Sequence, residues 1–343
     1  MSGDPIGVVK RELLVRQLDS WAPAALHRSR RATFVQAYAG DDGGAVEAAL
    51  RVFADFADLL RGRRMTALSI GRLDDGSLAA RHATVESELP AGLTAHLMPG
   101  GVDRLPVALK AAGAAGAPIF TYLDGAGGVV PDGGAVPDGG NGAAPEGSGN
   151  TGPEGGSDGG VPGRAVLAAV AAGRPGELLL ALDPPAWSGA DLRRRLTEAG
   201  LPLVTEVELV TDAPARSEVL TRSEVLVFAT AAGKRLDAFK NALWAVDEYA
   251  GVRYRDPGDP EGHLLDISLS PHPGPLRREI LARLATVGAA SVTELRQFTA
   301  ERTVYRPADT NRVLTALLAA GLVSRDPEAG RLGGDVTITA TPS

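Results

Sequence analysis

The residues of this chain whose types and spacing suit chemistry stand at the ends of apolar runs. Phe34-Val35-Gln36-Ala37-Tyr38 leads into Ala39-Gly40-Asp41-Asp42-Gly43-Gly44, the position of a glycine-rich loop whose missing side chains let the backbone approach a nucleotide. Asp41 and Asp42 interrupt the glycines and would repel an anionic ligand group unless a cation intervened. The plainer reading is a turn whose Asp caps the next helix. A second run, Ile119-Phe120-Thr121-Tyr122-Leu123, ends in Asp124, and a third, Leu178 to Leu182, ends in Asp183-Pro184-Pro185-Ala186-Trp187. An acid and a ring at that spacing could hold a planar base, but Ala186 breaks the pattern, and a turn capping a helix near Ser188 is the simpler account. Together Asp41, Asp42, Asp124 and Asp183 make a candidate set for a hard cation. The histidines add nothing: His27, His82 and His96 fall in different elements, and His263 and His272 lack zinc-type spacing. No metal ligand is expected among them.

Composition bounds the rest. The chain has 343 residues, 44% hydrophobic, and no cysteine, which excludes disulfides, thiolate metal sites and cysteine nucleophiles and makes a cytoplasmic location the default expectation. Its longest clean apolar run, Ala165 to Ala172, falls far short of the roughly 18 residues a bilayer span needs, so no membrane partner is expected. The net charge is −7. Residues 125–163 carry Asp132, Asp138, Glu146, Glu154 and Asp158 with no basic residue, so the remainder is nearly neutral and an acidic pI does not argue against nucleic acid.

The same segment holds 16 Gly and 5 Pro in 39 residues and reads as a disordered insertion, because it cannot bury enough apolar surface to offset the entropy of ordering. Around it, helices at 8–28, 45–61, 102–115 and 188–199 and one starting at Arg164 alternate with strands at 32–38, 65–70, 93–98, 118–124 and 177–183. That alternation implies a doubly wound parallel sheet. Strands at about 203–210 and 223–230 follow one another directly, as in a terminal antiparallel hairpin. The arrangement expected is therefore α/β, of the class I methyltransferase type. After a Pro- and Gly-rich joint at 256–275, three amphipathic stretches, a Ser291/Glu294 capping box and two short strands around Asp326–Asp335 predict a winged helix-turn-helix. The expected domains are residues 1–265 and 266–343. Arg306, Asn311 and Arg312 open the third helix of the second domain, where base contacts would fall. Such domains also serve as protein-docking or homodimerisation modules.

One segment is more specific than these patterns. Val225 to Thr230 is a buried strand, and Leu236, Phe239 and Leu243, with Lys240 and Trp244 one step round, build one face of the helix that follows. Taken alone this is core packing. Phe228-Ala229-Thr230, then Lys240, Ala242, Trp244, Val246, Asp247 and Gly251, resembles the signature of the three-Cys-motif partner (TcmP) family. The N-terminal Lys10, Leu14, Leu18 and Trp21, followed by Tyr38-Ala39-Gly40, and the C-terminal domain also resemble that family. The resemblance implies a methyltransferase-like domain plus a winged helix, and association with a radical-enzyme-like protein bearing three cysteines.

The departures fall where chemistry would be expected. The family's acid in the first strand is Gln36 here, its glycine-rich loop continues as Asp41-Asp42, its ribose-holding acid becomes Gly71 or a neighbour, and its Asp-Pro-Phe-Gly becomes Asp124-Gly125-Ala126-Gly127. If S-adenosylmethionine is retained, Ala39, Gly40, Asp41, Asp42, Gly43 and Asp124 are the residues to hold it. The reading is a divergent, non-catalytic methyltransferase-like protein whose winged helix binds nucleic acid or a protein partner. An active methyltransferase and a metal-dependent hydrolase using Asp41, Asp124 and Asp183 are the alternatives.

Overall fold

Five segments make the parallel part of one large sheet: β1 (Arg31–Ala39), β2 (Arg64–Gly71), β4 (Ile119–Asp124) and β5 (Gly176–Leu182), largely buried on both faces, and the edge strand β3 (Leu93–Pro99), which alternates buried and exposed residues. The computed structural model describes residues 4–39, 44–71, 77–125, 161–184, 189–214, 219–246 and 251–341. Strands β6 (Leu203–Pro214) and β7 (Val219–Thr230) form an antiparallel hairpin, with β7 also antiparallel to β5. Two short strands, β8 (Val252–Arg255) and β9 (Leu264–Asp266), extend the β6 edge. The order is β3-β2-β1-β4-β5-β7-β6-β8-β9. The class is thus mixed α/β with a large, parallel-dominated sheet.

Alternation along the strands assigns side chains to two apolar layers. Phe34, Phe120, Tyr122 and Phe228 face a layer containing α1 (Pro5–Arg28), α2 (Ala45–Asp55) and α7 (Gly233–Leu243). Val35, Ile119, Leu123 and Val227 face the other, with α4 (Leu105–Ala111), α5 (Arg164–Ala171) and α6 (Gly189–Ala199). Helix α1 buries Ile6, Val9, Leu13, Leu14, Leu18, Trp21 and Leu26 on one stripe, with Lys10 and Gln17 on the same stripe. Its Trp21 ring meets Phe120 edge-on at 5.7 Å.

The C-terminal part comprises α8 (Gly274–Val287), β10 (Ala289–Ser291), α9 (Val292–Arg302), α10 (Pro307–Ala319), β11 (Val323–Asp326) and β12 (Thr337–Ala340). Its strands pair in the order β10-β12-β11. The Ser291 hydroxyl accepts from the Glu294 amide at 3.2 Å and the Glu294 carboxylate accepts from the Ser291 amide at 2.7 Å, the capping box read from sequence. The apolar cluster of the α1 layer continues through Leu276, Val304, Tyr305 and Leu314 to Ile338, so the C-terminal elements share a core with the sheet.

The structure corrects several boundaries. The hairpin is not terminal, because β8 and β9 continue the sheet, and β9 lies within the stretch read as a joint. Each is only three or four residues long, with one or two buried positions, too few to show a strand period. Helix α3 (Ser77–Glu86) was not expected, its apolar residues being mostly small. Helix α2 stops at Asp55 and continues as turns. The expected helix at 102–115 is a 3-10 turn followed by the shorter α4. Residues 126–160, most of the Gly/Pro insertion, lie outside the described residues. Among the described residues, no helix is long and apolar enough to cross a membrane.

Candidate functional site

In a doubly wound sheet, ligands approach beyond the carboxyl ends of the strands. Asp124 ends β4 at that rim, and the structure joins it to residues distant in sequence. The Lys10 ammonium, from α1, donates to both Asp124 carboxylate oxygens at 3.0 and 2.9 Å. It also lies 2.6 Å from Glu224 Oε2 of β7. The Tyr122 hydroxyl donates to Asp124 Oδ2 at 2.8 Å, so both Asp124 oxygens are bonded within the chain. Arg222 continues the network, donating to Glu224 at 2.6 Å and lying 3.2 Å from Asp4.

Burial gives this cluster its character. The side chains of Lys10, Asp124 and Glu224 are 8%, 11% and 1% exposed. Burial opposes the Lys10 ammonium, but Asp124 and Glu224 outweigh it and hold its pKa above the ordinary lysine value. For Glu224, burial pushes the carboxyl up, while Lys10 and Arg222 pull it down. The ammonium therefore acts as a fixed cation between two carboxylates, and a ligand seeking Asp124 has to displace it.

Of the other sequence candidates, Ala39 is the last residue of β1, and Gly40, Asp41, Asp42 and Gly43 lie outside the described residues, as do Trp187 and Asp247. Gly44, at the start of α2, has φ +87°, the left-handed region that glycine tolerates. Asp183 is exposed beyond β5. Among the described residues no three His, Cys, Asp or Glu side chains are grouped to hold a metal ion. A cavity of about 740 Å³ lies beside this rim, between α1, α2 and α3, lined by Arg11, Glu12, Gly44, Glu47 and Arg51 among others. Asp124 does not line it.

Arg306, Asn311 and Arg312 do meet at the start of α10, but in intramolecular bonds. Arg306 donates to both Asp309 oxygens at 3.0 Å and to the Leu269 carbonyl at 2.9 Å. Arg312 donates to the Pro271 carbonyl at 2.8 Å, and the Asn311 side-chain oxygen accepts from Arg296 at 3.0 Å.

The signature residues have a different task. Lys240 is fully buried and donates to the Thr303 carbonyl, and Trp244 Nε1 donates to the Val304 carbonyl at 2.9 Å. Asp256 accepts from the Val304 amide at 2.8 Å. Trp244 also stacks on Tyr305 at 5.9 Å and meets Tyr254 edge-on at 5.3 Å. These groups seat the turn between α9 and α10 on α7 and the end of β8. Burial draws the Lys240 ammonium down to about 7 and pushes nearby Glu279 up to about 8, with Asp256 and Asp259 adding repulsion.

Sequence reasoning missed Lys10 and Glu224 as site residues. The available signal was Lys10 itself, one of four lysines in the chain, placed on the apolar stripe of α1 in line with Leu14 and Leu18.

No family model matches the chain, and no curated protein matches it. Eight chains of solved structure do. One is precorrin-6y C5,15-methyltransferase from Geobacter metallireducens GS-15, at 13% identity and a TM-score of 0.30, covering 62% of this chain and 87% of that one. A superposition that loose carries no argument, and the architecture rests on this chain's own strand pairings.

Proposed function

We propose that this protein is a methyltransferase-like member of the three-Cys-motif partner type that has given up catalysis and acts by binding a protein partner. The strand order β3-β2-β1-β4-β5-β7-β6 with β7 antiparallel is the order of the class I methyltransferase sheet. One observation carries the loss of catalysis: Asp124, the acid at the ligand-facing end of β4, is saturated by Lys10 and Tyr122 in a buried network. Releasing Lys10 strips two buried carboxylates of the cation they share, which costs about 3–5 kcal/mol, and a ligand has to supply that from its own binding energy.

The C-terminal elements are read as a winged helix that docks protein. Its candidate base-contacting side chains are held by Asp309, Leu269, Pro271 and Arg296, whereas large apolar side chains stay exposed on it and just before it: Val287 and Leu322 within it, and Leu269 in the segment leading into α8. Calorimetry with S-adenosylmethionine tests the proposal. No heat of binding is expected up to millimolar ligand; a one-to-one isotherm would establish a working cofactor site and defeat it.

A further inference from the structure

The opposite end of the sheet carries a feature that the crevice does not use. Two short segments, Arg28 to Arg31 and Arg61 to Arg64, contribute six arginines and no acid. They enter β1 and β2 side by side: the Arg64 amide donates to the Arg30 carbonyl at 2.8 Å, and Arg31 and Arg64 are direct register partners. Arg30, Arg31, Arg63 and Arg64 line one cavity of about 380 Å³, together with Thr33 and Thr66.

Like charges placed directly opposite on neighbouring strands destabilise a sheet, and among the described residues no acid pairs with Arg30, Arg31, Arg63 or Arg64. Arg31 donates to the Ala115 carbonyl at 3.2 Å and Arg63 to the Leu59 carbonyl at 3.1 Å, which orients the guanidiniums without cancelling their charge. Among the described residues the side chains of Arg28, Arg30 and Arg64 have no hydrogen-bond or ion-pair partner. Asp58 pairs only with Arg61, at 2.9 Å on the open surface. A helix C-terminus favours one cation, and Arg28 ends α1, but that accounts for neither Arg30 nor Arg64.

We propose that the amino-terminal ends of β1 and β2 form a binding surface for the phosphodiester backbone of duplex nucleic acid. Guanidinium forks match phosphate oxygens in pairs. Among the described residues no aromatic side chain lines the cavity, and those residues offer none of the stacking platform that single strands use. Contact is through phosphates and independent of base sequence. The surface is separate from the Asp124 rim, so this proposal stands or falls independently of the cofactor reading.

Fluorescence anisotropy of the full-length chain with a labelled 20-base-pair DNA duplex at 50–200 mM NaCl tests it. Four phosphate contacts give a slope of log K against log salt of about −3.6, a loss of about 100-fold across that range. The variant R30A/R64A should keep its fold and melt no lower than the parent, because both side chains are exposed and Arg64 faces a like charge, and should lose about two units of slope. Arg306→Ala should bind as the parent does. Absence of duplex binding at 50 mM salt, or a folded R30A/R64A with unchanged affinity and slope, overturns the proposal. So does binding of inorganic tripolyphosphate without binding of the duplex, since that outcome assigns the cavity to a small anion.

Discussion

Replacing Lys10 with Met removes the cation between Asp124 and Glu224 while nearly preserving side-chain volume. Two buried carboxylates remain, 11% and 1% exposed. Breaking a buried ion pair from one side costs about 3–5 kcal/mol. Asp124 keeps its Tyr122 bond and Glu224 keeps Arg222, which places the expected loss near the lower end, about 3 kcal/mol. With a urea slope of about 3 kcal/mol/M the midpoint should fall by about 1 M. The double variant K10M/E224Q, which also removes one buried charge, should recover part of the loss, with a coupling energy of about 1–2 kcal/mol. Urea unfolding followed by circular dichroism at pH 7 measures K10M, E224Q, the double variant and the parent. A midpoint for K10M within about 0.2 M of the parent, or a strictly additive cycle, would refute the view that this ammonium neutralises a buried acidic rim.

Two further outcomes follow from the seat of the C-terminal elements. Trp244→Phe should keep most of the ring packing but orphan the Val304 carbonyl, costing about 1–3 kcal/mol; an unchanged urea midpoint would show that the bond at 2.9 Å contributes nothing. Glu279, raised from 4.5 to about 8, binds its proton more tightly in the folded state. Its contribution is full below about pH 4.5 and is lost as pH rises toward about 8. Glu279→Gln should therefore flatten the stability profile between those limits, gaining on the parent at pH 8 relative to pH 5, and parallel profiles would dismiss that assignment. Above pH 7 Lys240, lowered to about 7, gives the opposite trend, with stability rising until the unfolded lysine also loses its proton near 10.5.

The strands buried on both faces were legible because an uninterrupted apolar run such as Leu178 to Leu182 has few alternatives at that length. Strands β8 and β9 were not, since their place depends on the exposed edge of β6 and not on any period of their own. Asp124 was legible as an acid closing an apolar run. Its partners were not: Lys10 is 114 residues away, and Glu224 sits in a strand whose polar end gives no sign of what it faces. The arginines at Arg30, Arg31, Arg63 and Arg64 resemble ordinary solvated charges in a chain whose basic residues are nearly all arginine, and only the parallel register of β1 with β2 brings them together. The Lys240 and Trp244 spacing was visible, while its use in gripping a turn 60 residues further on depends on how the chain returns to the sheet.

That grip acts on main chain. Lys240 and Trp244 hold the carbonyls of Thr303 and Val304, and Asp256 holds the Val304 amide. The seat thus recognises the path of the chain together with the buried side chains of Thr303, Val304 and Tyr305. Helices α8 to α10 can therefore change their outward residues freely, and with them the surface offered to a partner, provided the turn keeps its length. Adding or deleting one residue at 303–305 moves two acceptors and a donor out of reach together. The joint tolerates substitution on its outward faces and forbids insertion, so the C-terminal part can be re-surfaced while the sheet beneath it stays as it is.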